Sequence, residues 1–137
     1  MAPRIKICGL TRVEDVQQAV HAGADAIGLV FYPPSPRYVD LPTAVRLARA
    51  VPPFVSIVGL FVNAEPERVR ATLAALPIHL LQFHGDEDDA YCRQFDRPFM
   101  KAARVKPGMD LVQYCARFPS AQAILLDAFV EGYGGGG

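Results

Sequence analysis

The stretch KICGLT (residues 6–11) joins the carboxyl end of a short apolar strand to the start of a helix through a glycine. Because strand side chains alternate between two faces, Lys6 and Cys8 lie on the same face. Thr11, with Glu14 three residues later, predicts a capped helix start. A strand that leads through a tight turn into a helix is typical of parallel α/β proteins, in which ligands bind at the carboxyl ends of the strands.

The same strand-then-helix unit recurs along the whole chain, which predicts a parallel sheet with right-handed helical crossovers. Two architectures fit this pattern: an open doubly wound sheet, or part of an eight-stranded (β/α) barrel. Neither GxGxxG nor GxxxxGK[ST] follows a predicted strand, so there is no support for a dinucleotide or P-loop site. We expect strands over residues 5–8, 26–31, 54–61, 78–83, 98–103 and 123–127, and helices over 13–21, 41–50, 63 or 65 to 76, 86–95 and 110–118.

Composition limits the class of protein. The chain has 137 residues, 51% of them hydrophobic, and fourteen basic side chains balance fourteen acidic ones. These values predict one globular domain, residues 1–137, with no overall field that would attract nucleic acid or an anionic membrane. No apolar run approaches the roughly 18 residues of a membrane span, and no signal-peptide segment precedes the first strand. The three cysteines lack CxxC spacing, which favours reduced cytoplasmic thiols over disulfides or a metal site.

Two side chains at strand ends could carry acid–base chemistry. Cys8 ends the first predicted strand and Asp127 ends the sixth. In a parallel arrangement both ends lie on one rim, where a thiol and a carboxylate can act as base and acid. The competing interpretation is structural, because strand cysteines often pack as small apolar residues and aspartates after strands often cap helices. The residues alone leave both interpretations open.

Further polar groups are expected at the same rim. Arg37 lies in a proline-rich loop after the second strand, where its planar guanidinium could bind a carboxylate or phosphate, or could simply be exposed. Gln82 and His84 alternate onto one face of the fourth strand and are candidate substrate contacts, although a lone histidine often has a structural role. The acidic run 86–89 favours a solvated helix start. The terminal glycines 134–137 could form an anion-binding nest.

Five segments together resemble one family, phosphoribosylanthranilate isomerase of tryptophan biosynthesis. They are KICGLT (6–11), GADAIGLVFYPPSPRYV (23–39), PPFVSIVGLFVN (52–63), LLQFHGDE (80–87) and LLDAFVEGYGG (125–135). The resemblance implies a (β/α)₈ barrel that needs no metal or organic cofactor. It also implies an Amadori rearrangement, from N-(5-phosphoribosyl)anthranilate to 1-(2-carboxyphenylamino)-1-deoxyribulose 5-phosphate.

The resemblance assigns roles to three residues. It implies that Cys8 is the general base, that Asp127 is the general acid, and that Arg37 contacts substrate. Opening the ribose ring needs a proton on the ring oxygen, and the resulting Schiff base must lose a proton from the carbon beside the iminium. Because a free thiol is mostly protonated at neutral pH, we expect positive charge near Cys8, with Lys6 as one candidate.

The family pattern also extends beyond this sequence. An eight-stranded barrel usually needs roughly 200–250 residues, and only six strands and five helices are predicted here. The seventh and eighth strands, whose loops commonly form the phosphate site of such barrels, are not in the sequence. We therefore expect a fragment that is inactive alone, or one that self-associates or is completed by another segment or chain, and the unpaired strand edges favour such association. A non-enzymatic doubly wound ligand-binding module remains the alternative.

Overall fold

The computed structural model describes residues 2–128, which form one parallel sheet with helices between consecutive strands. The strands are β1 (Lys6–Cys8), β2 (Ala26–Val30), β3 (Ser56–Phe61), β4 (Leu80–Phe83), β5 (Phe99–Val105) and β6 (Ala123–Ala128). The helices are α1 (Val13–His21), α2 (Leu41–Arg49), α3 (Pro66–Ala75), α4 (Asp89–Arg93) and α5 (Leu111–Ala116).

The strand order decides between the two predicted architectures. The six strands lie in sequence order, β1-β2-β3-β4-β5-β6, and every neighbouring pair is parallel. A doubly wound sheet would reverse its order at a switch point between its two halves. Within the described residues no such reversal occurs, so the sheet is an arc of a (β/α) barrel, as the resemblance implied.

One face of the sheet packs against the helices through an aromatic core. Phe61 and Phe83 are almost completely buried there. Phe31 stacks on Phe61 with ring centroids 5.2 Å apart, and Phe95 and Phe99 lie 5.9 and 6.0 Å from Phe83. Strands covered on both faces need continuous apolar sequence, which explains the apolar runs.

The opposite face, which we call the inner face, carries the polar side chains of interest. Because partners in a parallel ladder share a face, the registers place Cys8 of β1, Gln82 of β4 and Asp127 of β6 on it. A small apolar cluster of Val30 and Leu60, with Val62, lies beside them. All strands run in one direction, so their carboxyl ends form one rim.

Several element ends differ from the sequence-based expectation. The predicted capping box is wrong: the residue that precedes α1 is Arg12, and it makes no side-chain capping bond. By contrast Asp40 caps α2 as predicted, accepting a hydrogen bond from the Thr43 N–H at 2.9 Å. The third strand begins at Ser56 rather than at Phe54, because Phe54 is fully exposed and has a φ of 70°, which a strand cannot contain.

The acidic run after β4 also differs from the sequence-based expectation. The helix covers only Asp89–Arg93, and Asp88 caps it by accepting from the Tyr91 N–H at 2.8 Å. Glu87 is 7% exposed, so the expectation of a solvated run is wrong at this position. The terminal glycines 134–137 and the end of the segment 125–135 lie outside the described residues. Among residues 2–128, no helix has both the length and the apolar character that crossing a membrane requires.

Candidate acid–base site

Cys8 occupies space that the missing side chain of Gly28 leaves open. A β-carbon added to Gly28 would lie 2.8 Å from Cys8 Sγ and 3.2 Å from Cys8 Cα. The thiol is half-buried and packs against the cluster of Val30, Leu60 and Val62. A backbone hydrogen bond also holds this turn against β2, because the N–H of the next residue, Gly9, donates to Gly28 O at 3.0 Å. The thiol is thus fixed at the end of β1 while remaining reachable from the rim.

Arg37 reaches across from the loop after β2 to the turn after β1. A β-carbon on Gly9 would lie 2.5 Å from Arg37 Cδ and 2.8 Å from its Nη1. Gly9 also has a φ of 84°, a backbone conformation that favours glycine, and a side chain here would displace the flexible end of Arg37. The loop is held by Ser35, whose Oγ accepts from the Arg37 N–H at 3.1 Å. The guanidinium therefore lies beside the residue that follows Cys8.

Asp127 lies at the rim on the other side of the arc. Its Oδ2 is 2.9 Å from His84 Nε2, and the carboxylate side chain is 26% exposed. In the ladder its neighbour is Arg104 of β5, whose Nη2 is 2.9 Å from Asp86 Oδ1. Asp127 is thus anchored through one oxygen and partly open to solvent.

Gln82 and His84 are deeply buried, and both are bonded to other protein groups. They are 2% and 5% exposed. Gln82 Nε2 lies 3.0 Å from His84 Nδ1, and Gln82 Oε1 accepts a hydrogen bond from Lys6 Nζ. Lys6, the cation expected near Cys8, is close enough for the thiol to affect it. Burial lowers the pKa of Lys6 below its ordinary value, and the negative charge of an ionised Cys8 acts in the opposite direction.

A buried ion pair that the sequence did not reveal holds the loop after His84. Lys101 of β5 is 1% exposed, and its Nζ lies 3.7 Å from Glu87 Oε1. Lys101 Nζ also donates to Gly85 O at 2.7 Å, and Glu87 accepts from the N–H groups of Gly85 and Asn63 at 2.9 and 2.8 Å. The only signal in the sequence was a lysine inside the predicted strand 98–103, which is otherwise apolar.

Arg104 is a second residue that the sequence did not single out. It shares the inner face with Asp127, and its side chain is 25% exposed. Residues 2–128 contain no group of three or more histidine, cysteine or acidic side chains that could hold a metal ion. Groups at the rim include the Cys8 thiol, the Asp127 carboxylate, the His84 imidazole, and the guanidinium groups of Arg37 and Arg104.

Comparison with known proteins matches this arrangement to one family. The family described as N-(5'phosphoribosyl)anthranilate (PRA) isomerase matches residues 5–137. A relative from Dechloromonas aromatica, named N-(5'-phosphoribosyl)anthranilate isomerase, is 67% identical over all 137 residues. The chain covers 66% of that relative, so it spans just under two thirds of its length.

Solved structures give the same result. The phosphoribosyl anthranilate isomerase from Thermotoga maritima superposes with a TM-score of 0.87 at 39% identity, over 99% of this chain and 66% of the other. A phosphoribosyl anthranilate isomerase in complex with reduced 1-(o-carboxyphenylamino)-1-deoxyribulose 5-phosphate superposes with a TM-score of 0.86 at 38% identity, over 93% and 66% of the two chains. The expected family and the expected barrel fold are both confirmed.

Proposed function

Because the chain belongs to the N-(5'-phosphoribosyl)anthranilate isomerase family, we propose that it supplies the acid and the base of that family's Amadori rearrangement. The observation that carries the proposal is the placement of Cys8 and Asp127 on the inner face, at the carboxyl ends of β1 and β6. A substrate lying across the rim would meet both groups. The proposed product is 1-(2-carboxyphenylamino)-1-deoxyribulose 5-phosphate.

In this proposal Asp127 acts first, as the general acid. Its protonated carboxyl gives a proton to the ribose ring oxygen while the bond from that oxygen to C1 breaks. The nitrogen lone pair forms the C=N bond, so the product of this step is an open-chain iminium. The N–H of His84 on Oδ2 then stabilises the carboxylate that remains after the proton has left.

Cys8 acts second, as the general base. Its thiolate removes the proton from C2, and that electron pair forms a C1=C2 bond as the C=N electrons return to nitrogen. The resulting enol tautomerises to the ketone, which completes the aldose-to-ketose change through proton transfers. Lys6 lies close enough to interact electrostatically with Cys8, and we propose that it supports Cys8 in this role.

The rest of the substrate needs cationic contacts. Its anthranilate carboxylate and its phosphate are both anions, and Arg37 lies next to the Cys8 turn, so we propose that Arg37 binds one of them. Gln82 and His84 remain predicted substrate contacts.

We further propose that the protein acts in the cytoplasm and uses no cofactor. The phosphate-binding site would be formed by loops after a seventh and an eighth strand.

The direct test is a chimera. Residues 1–137 of this chain are followed by the remaining third of the Dechloromonas aromatica relative, and the loss of phosphoribosylanthranilate fluorescence is followed with time. We expect turnover by the chimera and little or none by the 137-residue chain alone. Cys8→Ala and Asp127→Asn should each lower kcat at least about 100-fold, as removal of a general base or acid does.

Two results would contradict the proposal. One is an inactive but folded chimera, which would favour a non-catalytic half-barrel that assembles with a partner. The other is full activity in either variant, which would remove that residue from the mechanism. Arg37→Met serves as a separate test of binding, since it should raise KM more than it lowers kcat.

A further inference from the structure

Four polar side chains form a line across the inner face. They belong to three strands that are not neighbours in the sheet: Lys6 of β1, Gln82 of β4 with His84 just after it, and Asp127 of β6. Lys6 Nζ contacts Gln82 Oε1, Gln82 Nε2 lies 3.0 Å from His84 Nδ1, and His84 Nε2 lies 2.9 Å from Asp127 Oδ2. The line therefore runs from a cation near the base to the acid.

Because Lys6 can only donate, it decides which atom donates and which accepts in every hydrogen bond along the line. An ammonium group only donates, so the amide atom that faces Lys6 must be the oxygen of Gln82. The amide NH₂ then faces His84 Nδ1 and donates to it, which requires a lone pair on that nitrogen. The ring proton is therefore on Nε2, where it points at Asp127. A doubly protonated ring would place two donors against each other at Nδ1.

We propose that Lys6 and Gln82 are positioning residues that lock His84 as its neutral Nε2–H tautomer, so that His84 donates to Asp127 but cannot accept the catalytic proton. This rests on the proposed role of Asp127 as the acid. The His84 Nδ1 lone pair is occupied by Gln82, and Nε2 already carries a proton. The proton on Asp127 therefore cannot pass to His84, and Oδ1, the oxygen that does not face His84, is the one that delivers it to the substrate.

The proposal replaces the substrate contact predicted for Gln82 with a positioning role. Both ends of its amide are used within the line, and the side chain is 2% exposed. Lys6 likewise acts on two groups, by hydrogen bonding to Gln82 and by its charge on Cys8. One lysine thereby links the base on β1 to the orientation of the acid on β6.

The first test measures the tautomer directly and needs no activity. Ring nitrogen chemical shifts of His84 are recorded by NMR on the ¹⁵N-histidine-labelled chain. We expect a single Nε2–H tautomer in the unaltered chain. In Gln82→Glu, a carboxylate oxygen should draw a proton onto Nδ1, and in Lys6→Met the two amide orientations should give mixed tautomers. Lys6→Arg, which still only donates, should preserve the original signal.

His79 is the internal control for this measurement. Its Nδ1 accepts from the Ile57 N–H at 2.9 Å, so it too must be an Nε2–H tautomer, but Lys6 plays no part in fixing it. Unchanged His79 shifts show that a variant is folded. If a variant loses them, the measurement is repeated in the chimera. A folded Lys6→Met and a folded Gln82→Glu that both leave His84 unchanged would overturn the proposal.

The second test separates positioning from a purely structural role. In the chimera we expect Lys6→Met to lower kcat roughly 10- to 100-fold with little change in KM, the scale expected when a catalytic group is misplaced. Lys6→Arg should recover much of this loss. A fall in kcat without any tautomer change would overturn the proposal. A tautomer change in an inactive chimera would instead contradict only the proposed function and leave the positioning of His84 established.

Discussion

At the scale of single residues, the position of Cys8 depends on the absence of a side chain on the neighbouring strand. Gly28 is paired with Cys8 in the ladder and lies on the same face. A β-carbon there would approach three atoms of Cys8, with Sγ at 2.8 Å as the shortest contact. Gly28 does not have a positive φ, so the requirement for glycine comes from space and not from backbone conformation.

We therefore predict that Gly28→Ala lowers the free energy of unfolding by about 1–3 kcal/mol, the usual cost of overpacking. Urea denaturation measures this change. The same substitution made in a Cys8→Ala chain should cost less, because the Sγ contact is gone while contacts at 3.2 Å remain. Equal losses in both chains would show that the strain does not involve the thiol.

At the scale of elements, a buried ion pair and its hydrogen bonds hold the segment from β4 to α4 in place. Glu87 accepts from two backbone N–H groups and pairs with Lys101, so the loop after His84 is tied to both β5 and the end of β3. Cys92 of α4 is completely buried beneath it. Burial raises the pKa of Cys92 to about 12, and the negative charge of Glu87 acts in the same direction. Burial likewise raises the pKa of Tyr91 to about 12.

These shifts predict a loss of stability in alkali. An unfolded Cys92 would titrate near 9.0, whereas the folded thiol keeps its proton until about 12. Unfolding above pH 9.0 therefore releases a proton, so stability is fully present below that value and falls as the pH rises toward 12. Urea denaturation should show a loss of about 1 kcal/mol between roughly pH 8 and 10.

Two cysteine variants check that assignment. Cys92→Ala should be less stable at neutral pH, because it leaves a cavity, and its stability should fall less steeply with alkali. Cys115→Ala is the matched control, since Cys115 is exposed on α5. An alkaline slope that is the same in Cys92→Ala as in the unaltered chain would assign the loss to Tyr91 or to other groups.

At the scale of the whole molecule, the arc leaves apolar side chains at its two outer strands. Within residues 2–128, β1 and β6 each pair with one strand only. Ile5 beside β1 is 48% exposed, Ile7 of β1 is 38% exposed and Leu126 of β6 is 59% exposed. Unpaired strand edges with apolar neighbours favour pairing with another chain. We propose that the 137-residue chain self-associates through these strands.

We predict that size-exclusion chromatography with light scattering will show a concentration-dependent mass above that of one chain. Ile7→Lys combined with Leu126→Lys should reduce the association, because charged side chains at a strand edge oppose pairing. Val112→Lys is the control, as Val112 is 81% exposed but lies on α5. A chain that stays monomeric at all concentrations would contradict the proposal, and so would a Val112→Lys effect equal to that of the double variant.

Local signals in the sequence were sufficient to predict the elements and the rim. Apolar runs, glycine turns and the capping Asp40 each act within a few residues, so they place strands and helices in order without any knowledge of long-range contacts. The end of a strand is also local information, and the sequence alone therefore puts Cys8 and Asp127 on one rim. At Thr11 and Phe54 these local patterns placed the ends of elements wrongly.

Which side chains meet, in contrast, was settled by the tertiary fold. The contact of Lys6 with Gln82 joins residues 76 positions apart, and that of His84 with Asp127 joins residues 43 apart. Such contacts depend on strand order and curvature, which periodicity does not encode. For the same reason Glu87 and Lys101 looked like ordinary charges, although their burial follows from each being the other's partner. The sequence alone places a thiol and a carboxylate at strand ends, and the tertiary fold decides which side chains lie between them, because those contacts join distant parts of the chain.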